Sequence, residues 1–340
     1  MLTSPKPYLE GRYIDCDLEH GDAFRPNTTI NFSDITNLVR LFLIEGPIGW
    51  AAPEKSWRSI STIFATISSI RYKERTENNK KFIEAVVSHS RAPSKPIQNG
   101  YFARRFEERY GYMRSHRPGG WDPKIRIYGK KHLDQARQEG KGIILWGSRF
   151  AFHHLISKIA FHRLGLDVYH YTRPIHGLSH TFFGIKILNP IWTKIERRYL
   201  GARVAGEKNV QGAMEVLRGV VSTGGVVSIT TGNWGKKTVE VPFLDGRLQL
   251  ATGPAFRAKS WGAVLLPTFT VQASDGSFDV SVGEPLNSNQ DSIGAYCQEV
   301  VEKYANQLEK HFLTNPDQWR GWDLILDREK SHEEFRFRNR

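Results

Sequence analysis

Short apolar runs alternate with helical periods through the middle and the end of the chain. Apolar runs of roughly four to eight residues predict strands, and apolar positions spaced by three or four predict helices. The predicted strands are Ile125–Tyr128, Gly142–Trp146, Asp167–Tyr171, Val226–Thr230, Ala263–Thr270 and Phe278–Val282. The predicted helices are His132–Glu139, Phe152–Leu164, Val210–Ser222, Ala255–Trp261 and Ile293–His311. This alternation predicts an α/β domain over residues 118–326, with a largely parallel sheet flanked by helices.

The N-terminal third has a different pattern. Residues 1–33 are polar and rich in turn residues, which predicts an irregular lead-in. Helical spacing follows in Ile35–Ile44, Ile60–Ile70 and Phe82–Val87, with a cap expected at Ser33 or Asp34. Residues 34–117 are therefore predicted to form a helical arm. The last residues, 327–340, are charged and are predicted to form a frayed tail.

The chain is strongly basic. Its 340 residues include 48 Lys and Arg against 35 Asp and Glu, a formal charge of +13. This excess favours an anionic partner, which is a membrane surface, an acidic carrier protein, a phosphorylated substrate or RNA. Between Trp57 and Arg117 there are 13 basic and 5 acidic residues, an excess of 8. That segment is either a solvated face of the arm or a docking surface for an acidic partner.

The sequence carries no sign of export. The two cysteines, Cys16 and Cys297, are far apart and provide neither a disulfide framework nor metal-type spacing. The N-terminus lacks the basic-then-apolar pattern of a signal peptide. The most apolar early stretch, Leu38–Ala52, is interrupted by Arg40 and Glu45 and is too short to span a bilayer. We expect a cytoplasmic location, with peripheral contact with the inner face of an anionic membrane as an open alternative.

A series of motifs carries a family resemblance. The stretch from Lys141 to His154 reads as a buried strand, a tight turn and the start of a helix. The motifs that follow are Arg173-Pro174, Asn233-Trp-Gly235, Val241-Pro-Phe243, Ala251-Thr-Gly253, Gly262–Pro267 and Asn315-Pro-Asp-Gln-Trp319. As an ordered set over roughly residues 45–325, they resemble the lysophospholipid acyltransferase superfamily, in particular the bacterial lipid A late (lauroyl/myristoyl) acyltransferases. The resemblance implies a glycerolipid acyltransferase-like fold and an acyl-transfer activity.

The resemblance also implies a catalytic motif, but this chain has other residues at the two catalytic positions. The family has a His after the strand and a carboxylate five positions later, and Arg149 and His154 stand at these positions. An arginine cannot act as a base because its pKa stays above about 12, but its guanidinium can bind an oxyanion or a phosphate. We therefore expect Arg149 to bind an anion and His154 or His153 to act as the base. The alternative is that these are structural residues at a helix start.

Other positions are candidates for substrate binding. By resemblance, Arg173 and Asn233 are expected near the substrate, with a surface ion pair as the alternative for Arg173. Thr252 and Gly253 precede a helix whose backbone N–H groups would suit an anion, with an ordinary helix cap as the alternative. No histidine forms the helix-face pair with a neighbouring Glu that a zinc site uses, so no metal is expected. No cofactor is expected either.

The leading hypothesis is an acyltransferase that takes an acyl group from an acidic carrier-protein thioester or coenzyme A. A neutral amine or hydroxylamine is already nucleophilic, so loss of the usual base fits such an acceptor better than a lipid hydroxyl. A second hypothesis is an aminoacyl-tRNA-dependent transferase in small-molecule biosynthesis, because a basic surface suits a polyanionic donor. A third is a non-catalytic, lipid-binding relative. DNA is not an expected partner.

Overall fold

The computed structural model describes residues 12–19, 26, 28–71, 94–232, 237–244 and 246–326. The predicted helix around Phe82–Val87, the charged tail and Asn233 lie outside the described residues. Within them the fold is α/β, with a mostly parallel central sheet flanked by helices. The fold class predicted from the sequence is therefore confirmed.

Eight strands form the central sheet. They are β1 (Arg12–Asp15), β2 (Ile125–Tyr128), β3 (Ile143–Gly147), β4 (Val168–Thr172), β5 (Ala202–Ala205), β6 (Val226–Thr230), β9 (Val264–Gln272) and β10 (Phe278–Val282). Their order across the sheet is β1-β5-β4-β6-β3-β9-β10-β2, and neighbouring strands are parallel except β9 and β10. All six predicted strands are present, and β1 and β5 are additions.

Eleven α-helices lie within the described residues. They are α1 (Cys16–Glu19), α2 (Phe32–Arg40), α3 (Gly46–Ala51), α4 (Glu54–Arg71), α5 (Ser94–Ser115), α6 (Lys130–Gln138), α7 (His153–Arg163), α8 (Asn189–Arg197), α9 (Val210–Ser222), α10 (Gly253–Trp261) and α11 (Ile293–Thr314). Single π-helical turns at Leu41–Glu45 and Gly184–Leu188 precede α3 and α8. Two short 3₁₀ helices, Pro316–Gln318 and Trp322–Leu324, follow α11.

The central strand β3 separates two hydrophobic cores. Successive side chains of a strand point to opposite faces of the sheet. Accordingly Ile144 and Trp146 pack in the core beneath α11, whereas Ile143 and Leu145 pack in the core beneath α7 and α8. All four side chains are essentially inaccessible to solvent. The end of β3 is therefore fixed from both faces.

Two features of the N-terminal region differ from the sequence prediction. Arg12–Asp15, within the predicted irregular lead-in, forms an edge strand parallel to β5. The cap of α2 is Asn31 rather than Ser33 or Asp34. The Asn31 side chain accepts from the Asp34 N–H, and the Asp34 carboxylate accepts from the Asn31 N–H. This reciprocal pair is a capping box, in which Asp34 occupies the third helical position.

The basic helical arm buries part of its own charge. Glu107 of α5 is 2 % exposed and binds Arg58 and Arg104, while the fully buried Glu45 binds Arg40 and Arg109. The attraction of these cations offsets the cost of removing the carboxylates from water. Several arginines of the arm are therefore internal partners of buried acids, which neither sequence hypothesis for this segment included.

A second, three-stranded antiparallel sheet joins β7 (Thr238–Phe243), β8 (Gly246–Ala251) and β11 (Ile325–Leu326), with β8 in the centre. Pro242 lies on β7, an edge strand, where a missing N–H is tolerated. The sequence pattern did not predict this sheet. None of the helices within the described ranges has the length and hydropathy needed to cross a membrane.

Candidate active site

The turn between β3 and α7 has an unusual backbone. Phe152, the residue before α7, has φ 64°, in the left-handed region that non-glycine residues rarely adopt. Its N–H donates to Glu108 Oε1 over 3.2 Å, and the other oxygen of Glu108 lies 2.8 Å from an Arg320 guanidinium nitrogen. A buried carboxylate and its cation thus stabilise a conformation that costs about 1–3 kcal/mol.

The C-terminal segment closes over the same turn. The Ala151 N–H donates to the Gln318 carbonyl, and the Arg320 N–H donates to the Arg149 carbonyl, both over 2.6 Å. Phe150 and Trp319 form an antiparallel bridge between these two bonds. The side-chain oxygen Oε1 of Gln318 in turn accepts a hydrogen bond from the Gln272 N–H over 2.7 Å. The Asn-Pro-Asp-Gln-Trp motif therefore clamps the strand-to-helix turn.

A small cavity, with several polar side chains in its lining, lies beneath this turn on the α7 face of the sheet. Its volume of about 20 Å³ is room for roughly one water molecule. Three histidines, a lysine, two serines and two threonines supply its polar lining, and apolar residues of β3, α7, β4 and β6, together with Leu200, supply the rest. The polar lining residues are His153, His154, Ser157, Lys158, His170, Ser228, Thr230 and Thr268.

The three histidines of the cavity have lowered pKa values. Burial is the main cause for each, and the nearby Lys158 ammonium adds to it. The pKa of His153 falls to about 3, and the pKa values of His154 and His170 fall well below 6.5. All three are neutral at pH 7, so each has one ring nitrogen able to accept a proton.

The histidines differ in their surroundings. His153 Nδ1 lies 3.4 Å from Thr270 Oγ1, and His170 Nδ1 is 2.7 Å from Ser228 Oγ. His154 is half-buried, and its ring centroid is 5.4 Å from that of His176. His176 in turn lies 3.5 Å from the Glu196 carboxylate. Among the three cavity histidines, His154 is the most accessible.

A buried ion pair supports this cluster. Lys158 of α7 contacts Glu196 of α8, with side chains that are 5 % and 1 % exposed. The Tyr112 hydroxyl donates to Glu196 Oε1 over 2.7 Å. Burial alone would raise the pKa of Glu196, but the attraction of Lys158 and the hydrogen bond to His176 outweigh it, so this pKa is well below 4.5. Glu196 is therefore ionised and linked to three side chains.

The structure brings together only some of the predicted site residues. His153 and His154 line the cavity. Arg149 is half-buried in the turn and lies outside the cavity lining, and Arg173 is exposed just after β4. Thr252 is buried at the start of α10 and its hydroxyl donates to the Lys237 carbonyl over 3.2 Å, while Gly253 is exposed. Neither Thr252 nor Gly253 lines the cavity, and the Thr252 side chain makes no cap hydrogen bond to α10.

Sequence reasoning missed most of the polar residues of this site, among them Lys158, His170, Glu196 and Ser228. One signal for Glu196 was present, because it shares a face of α8 with Trp192 and Ile195, both of which are buried. Within the described ranges, no group of three or more His, Cys, Asp or Glu side chains is arranged to hold a metal ion.

Gly147→Ala is expected to destabilise the chain by about 1–3 kcal/mol, because the new methyl group would overlap the His153 imidazole. The measurement is the urea midpoint. Adding His153→Ala should recover part of the loss, since it removes the overlapping ring. Gly219→Ala, in open space on α9, is the control and should not destabilise. Independent, additive losses for Gly147→Ala and His153→Ala would contradict the assigned contact.

The buried histidines are expected to make stability depend on pH. In the unfolded chain a histidine gains a proton as the pH falls through about 6.5, whereas His170 stays neutral in the folded chain until a lower pH. The free energy of unfolding should therefore fall on acidification, by up to about 1.4 kcal/mol per pH unit for each such histidine. Urea titrations between pH 7.5 and 5 should show a shallower slope for His170→Gln than for the wild type. Equal slopes would contradict a neutral, buried His170.

A known protein family matches the chain over most of its length. The family model described as bacterial lipid A biosynthesis acyltransferase matches residues 41–322. This range includes the strand-to-helix turn, the cavity and the Asn-Pro-Asp-Gln-Trp motif that is hydrogen-bonded to the turn. No curated protein compared with the chain matches it significantly.

Proposed function

The chain belongs to the bacterial lipid A biosynthesis acyltransferase family, and on this premise we propose that it moves an acyl group from a thioester to an amine or hydroxyl acceptor. The donor is an acyl group on an acidic carrier protein or on coenzyme A. His154 is the general base and Arg149 stabilises the anion that forms. The observation that carries this proposal is the position of His154 on the cavity, directly after the turn that follows β3.

In the proposed step, a bond from the acceptor to the acyl carbon replaces the carbon–sulfur bond of the donor. The acceptor nitrogen or oxygen attacks the thioester carbonyl and forms a bond to carbon, while the carbonyl oxygen becomes an oxyanion. The acceptor proton passes to the neutral ring nitrogen of His154. The carbon–sulfur bond then breaks, and the thiolate leaves and recovers that proton. The products are the acylated acceptor and a free thiol.

Arg149 suits the role of anion binder through its chemistry and its place in the turn. A guanidinium stays protonated at neutral pH and has five N–H donors. The Arg149 backbone is held by Arg320, so the residue starts from a fixed position beside the end of β3. Preorganised donors near a developing oxyanion are worth about 10²–10³ in rate. We propose that Arg149 acts on the donor carbonyl or on an anionic group of the donor.

The low pKa of His154 favours an amine-type acceptor. Burial lowers the pKa of His154, so its imidazole removes a proton from an alcohol less readily than an ordinary histidine does, because general-base efficiency falls with the pKa of the base. A neutral amine or hydroxylamine attacks first and sheds its proton late, from a nitrogen that has become acidic. The carboxylate that orients the usual catalytic histidine is also replaced here, by His154 itself. Both features support an amine or hydroxylamine acceptor.

The charge of the chain supports a second candidate donor. An aminoacyl-tRNA is an activated ester on a polyanion, and a net charge of +13 favours phosphate contacts that do not read sequence. The chemistry at His154 and Arg149 would be the same, with a ribose hydroxyl as leaving group in place of a thiol.

The proposal is tested by following donor consumption. Purified protein is incubated with an acyl carrier-protein thioester, an acyl-CoA or an aminoacyl-tRNA, each with hydroxylamine as the probe acceptor, and hydroxamate is measured by mass spectrometry. A rate above the protein-free background with a thioester supports the first candidate. A rate above background with aminoacyl-tRNA alone supports the second candidate. Background rates with all three donors would overturn the proposal.

A further inference from the structure

An ionised carboxylate lies one side chain away from the proposed base. The His154 ring centroid is 5.4 Å from that of His176, and His176 Nε2 is 3.5 Å from Glu196 Oε1. His154 belongs to α7, His176 to the loop after β4 and Glu196 to α8. Three elements of the fold therefore place an imidazole between the base and a carboxylate.

Two buried partners hold the Glu196 carboxylate in place. The Tyr112 hydroxyl donates to Oε1 over 2.7 Å, and the Lys158 ammonium contacts Oε2. Because Oε1 also faces His176 Nε2, this nitrogen carries the ring proton when His176 is neutral. The other ring nitrogen of His176, Nδ1, is then an acceptor. The carboxylate thus selects one tautomer of the histidine that lies beside the base.

The loop that carries His176 is tied to the helix that supplies the carboxylate. The Asn189 side chain, at the start of α8, accepts from the Leu178 N–H over 2.7 Å and from the Ser179 N–H over 3.0 Å. It also donates to the Ser179 carbonyl over 2.8 Å. Gly177, directly after His176, has φ 147°, and a Cβ at this position would overlap Asn189. His176 therefore has a fixed position relative to α8.

We propose that His176, held by Glu196, is a positioning residue for the base His154. When His154 takes up the acceptor's proton it becomes an imidazolium with two N–H groups, and one of them donates to His176 Nδ1. The centroid separation of 5.4 Å allows a nitrogen of one ring to reach hydrogen-bond distance of the other, and catalytic hydrogen bonds often shorten only as the reaction proceeds. The proton stays on His154 until the leaving thiolate takes it.

The charges around His154 explain why its imidazolium form needs this support. Burial disfavours that form and lowers the pKa of His154, the Lys158 ammonium lowers it further, and the Glu196 carboxylate raises it. A protonated His176 would also lower it, so His176 gives its support in the neutral form. His170 of β4, which belongs to the same cluster, is neutral and adds no charge. The role of His176 rests on the acyl-transfer proposal, because His176 acts only through His154.

Two substitutions of His176 in the full chain test this role. His176→Phe keeps a ring without donor or acceptor and should lower kcat for hydroxamate formation at least about tenfold, but less than the 10²–10⁴-fold expected for loss of the base. KM should change little, because His176 acts after the substrates have bound. His176→Gln should recover most of kcat, since its amide can donate to Glu196 and accept from His154. If His176 only filled space, Phe would be tolerated better than Gln.

A double-mutant cycle shows whether His176 acts through the base. In a His154→Ala background, His176→Phe should have no further effect, because the group that it supports is already missing. His180→Phe is the matched control, since His180 is an exposed histidine on the same loop, and its kcat should equal that of the wild type. A wild-type kcat in His176→Phe, or additive losses in the double variant, would overturn the positioning role and leave acyl transfer intact. A wild type that forms no hydroxamate above background would overturn both.

Discussion

Replacing Glu196 by Gln is expected to lower the free energy of unfolding by about 3–5 kcal/mol. The carboxylate is 1 % exposed and is the charged partner of Lys158, which is 5 % exposed. Without the negative charge, Lys158 must stay charged and unpaired in a buried position or lose its proton, and either costs free energy. The measurement is urea unfolding at pH 7, followed by circular dichroism.

Two further variants make this test specific. Lys158→Met/Glu196→Gln should be more stable than Glu196→Gln alone, because it removes the unpaired charge. Asp134→Asn breaks the exposed pair between Lys130 and Asp134 and should change stability by less than about 1 kcal/mol. If Glu196→Gln were no more damaging than Asp134→Asn, the buried pair would not have the role assigned to it.

Replacing His154 by Ala is expected to lower kcat about 10²–10⁴-fold, because the variant lacks the group that accepts the acceptor's proton. The effect should fall on kcat more than on KM, since proton transfer takes place after the substrates have bound. The measurement is the steady-state rate of hydroxamate formation with the donor that the wild type consumes. The variant should keep its fold, because the His154 side chain is half-buried and its ring lies beside the rings of His153 and His176.

His132→Ala is the matched control, because His132 is a partly exposed helical histidine outside the cavity. Its kcat should equal that of the wild type. A His154→Ala enzyme with undiminished kcat would remove His154 from the mechanism. Arg149→Ala should also lower the rate, by about 10²–10³-fold, if Arg149 stabilises the oxyanion.

The main sheet could be predicted because its strands have strong local patterns. Val226–Thr230 and Phe278–Val282 are short apolar or alternating runs with clear ends, and the structure has the same bounds. The edge strand Arg12–Asp15 could not be predicted, because its pairing with β5 joins segments about 190 residues apart. The short β5 strand, Ala202–Ala205, includes the charged but buried Arg203 and so has no clean apolar pattern.

The site was predictable only in part. His153 and His154 stand in a motif that marks the turn after β3, and both line the cavity. Lys158 and Glu196 were not predicted, because a charged residue on a helix is usually solvated and its burial depends on tertiary partners. The basic arm is a similar case, since its pattern does not show that arginines such as Arg109 bind a buried acid, Glu45.

Chemical rescue of His154→Ala by imidazole tests the central claim most directly, namely that a neutral imidazole on this cavity accepts the proton in acyl transfer. The variant leaves a space the size of the missing ring, next to the existing cavity. Added imidazole is predicted to restore hydroxamate formation in His154→Ala in a saturable manner, while leaving the wild type and His132→Ala unchanged. A folded His154→Ala enzyme that transfers acyl groups at the wild-type rate without any imidazole would contradict the account.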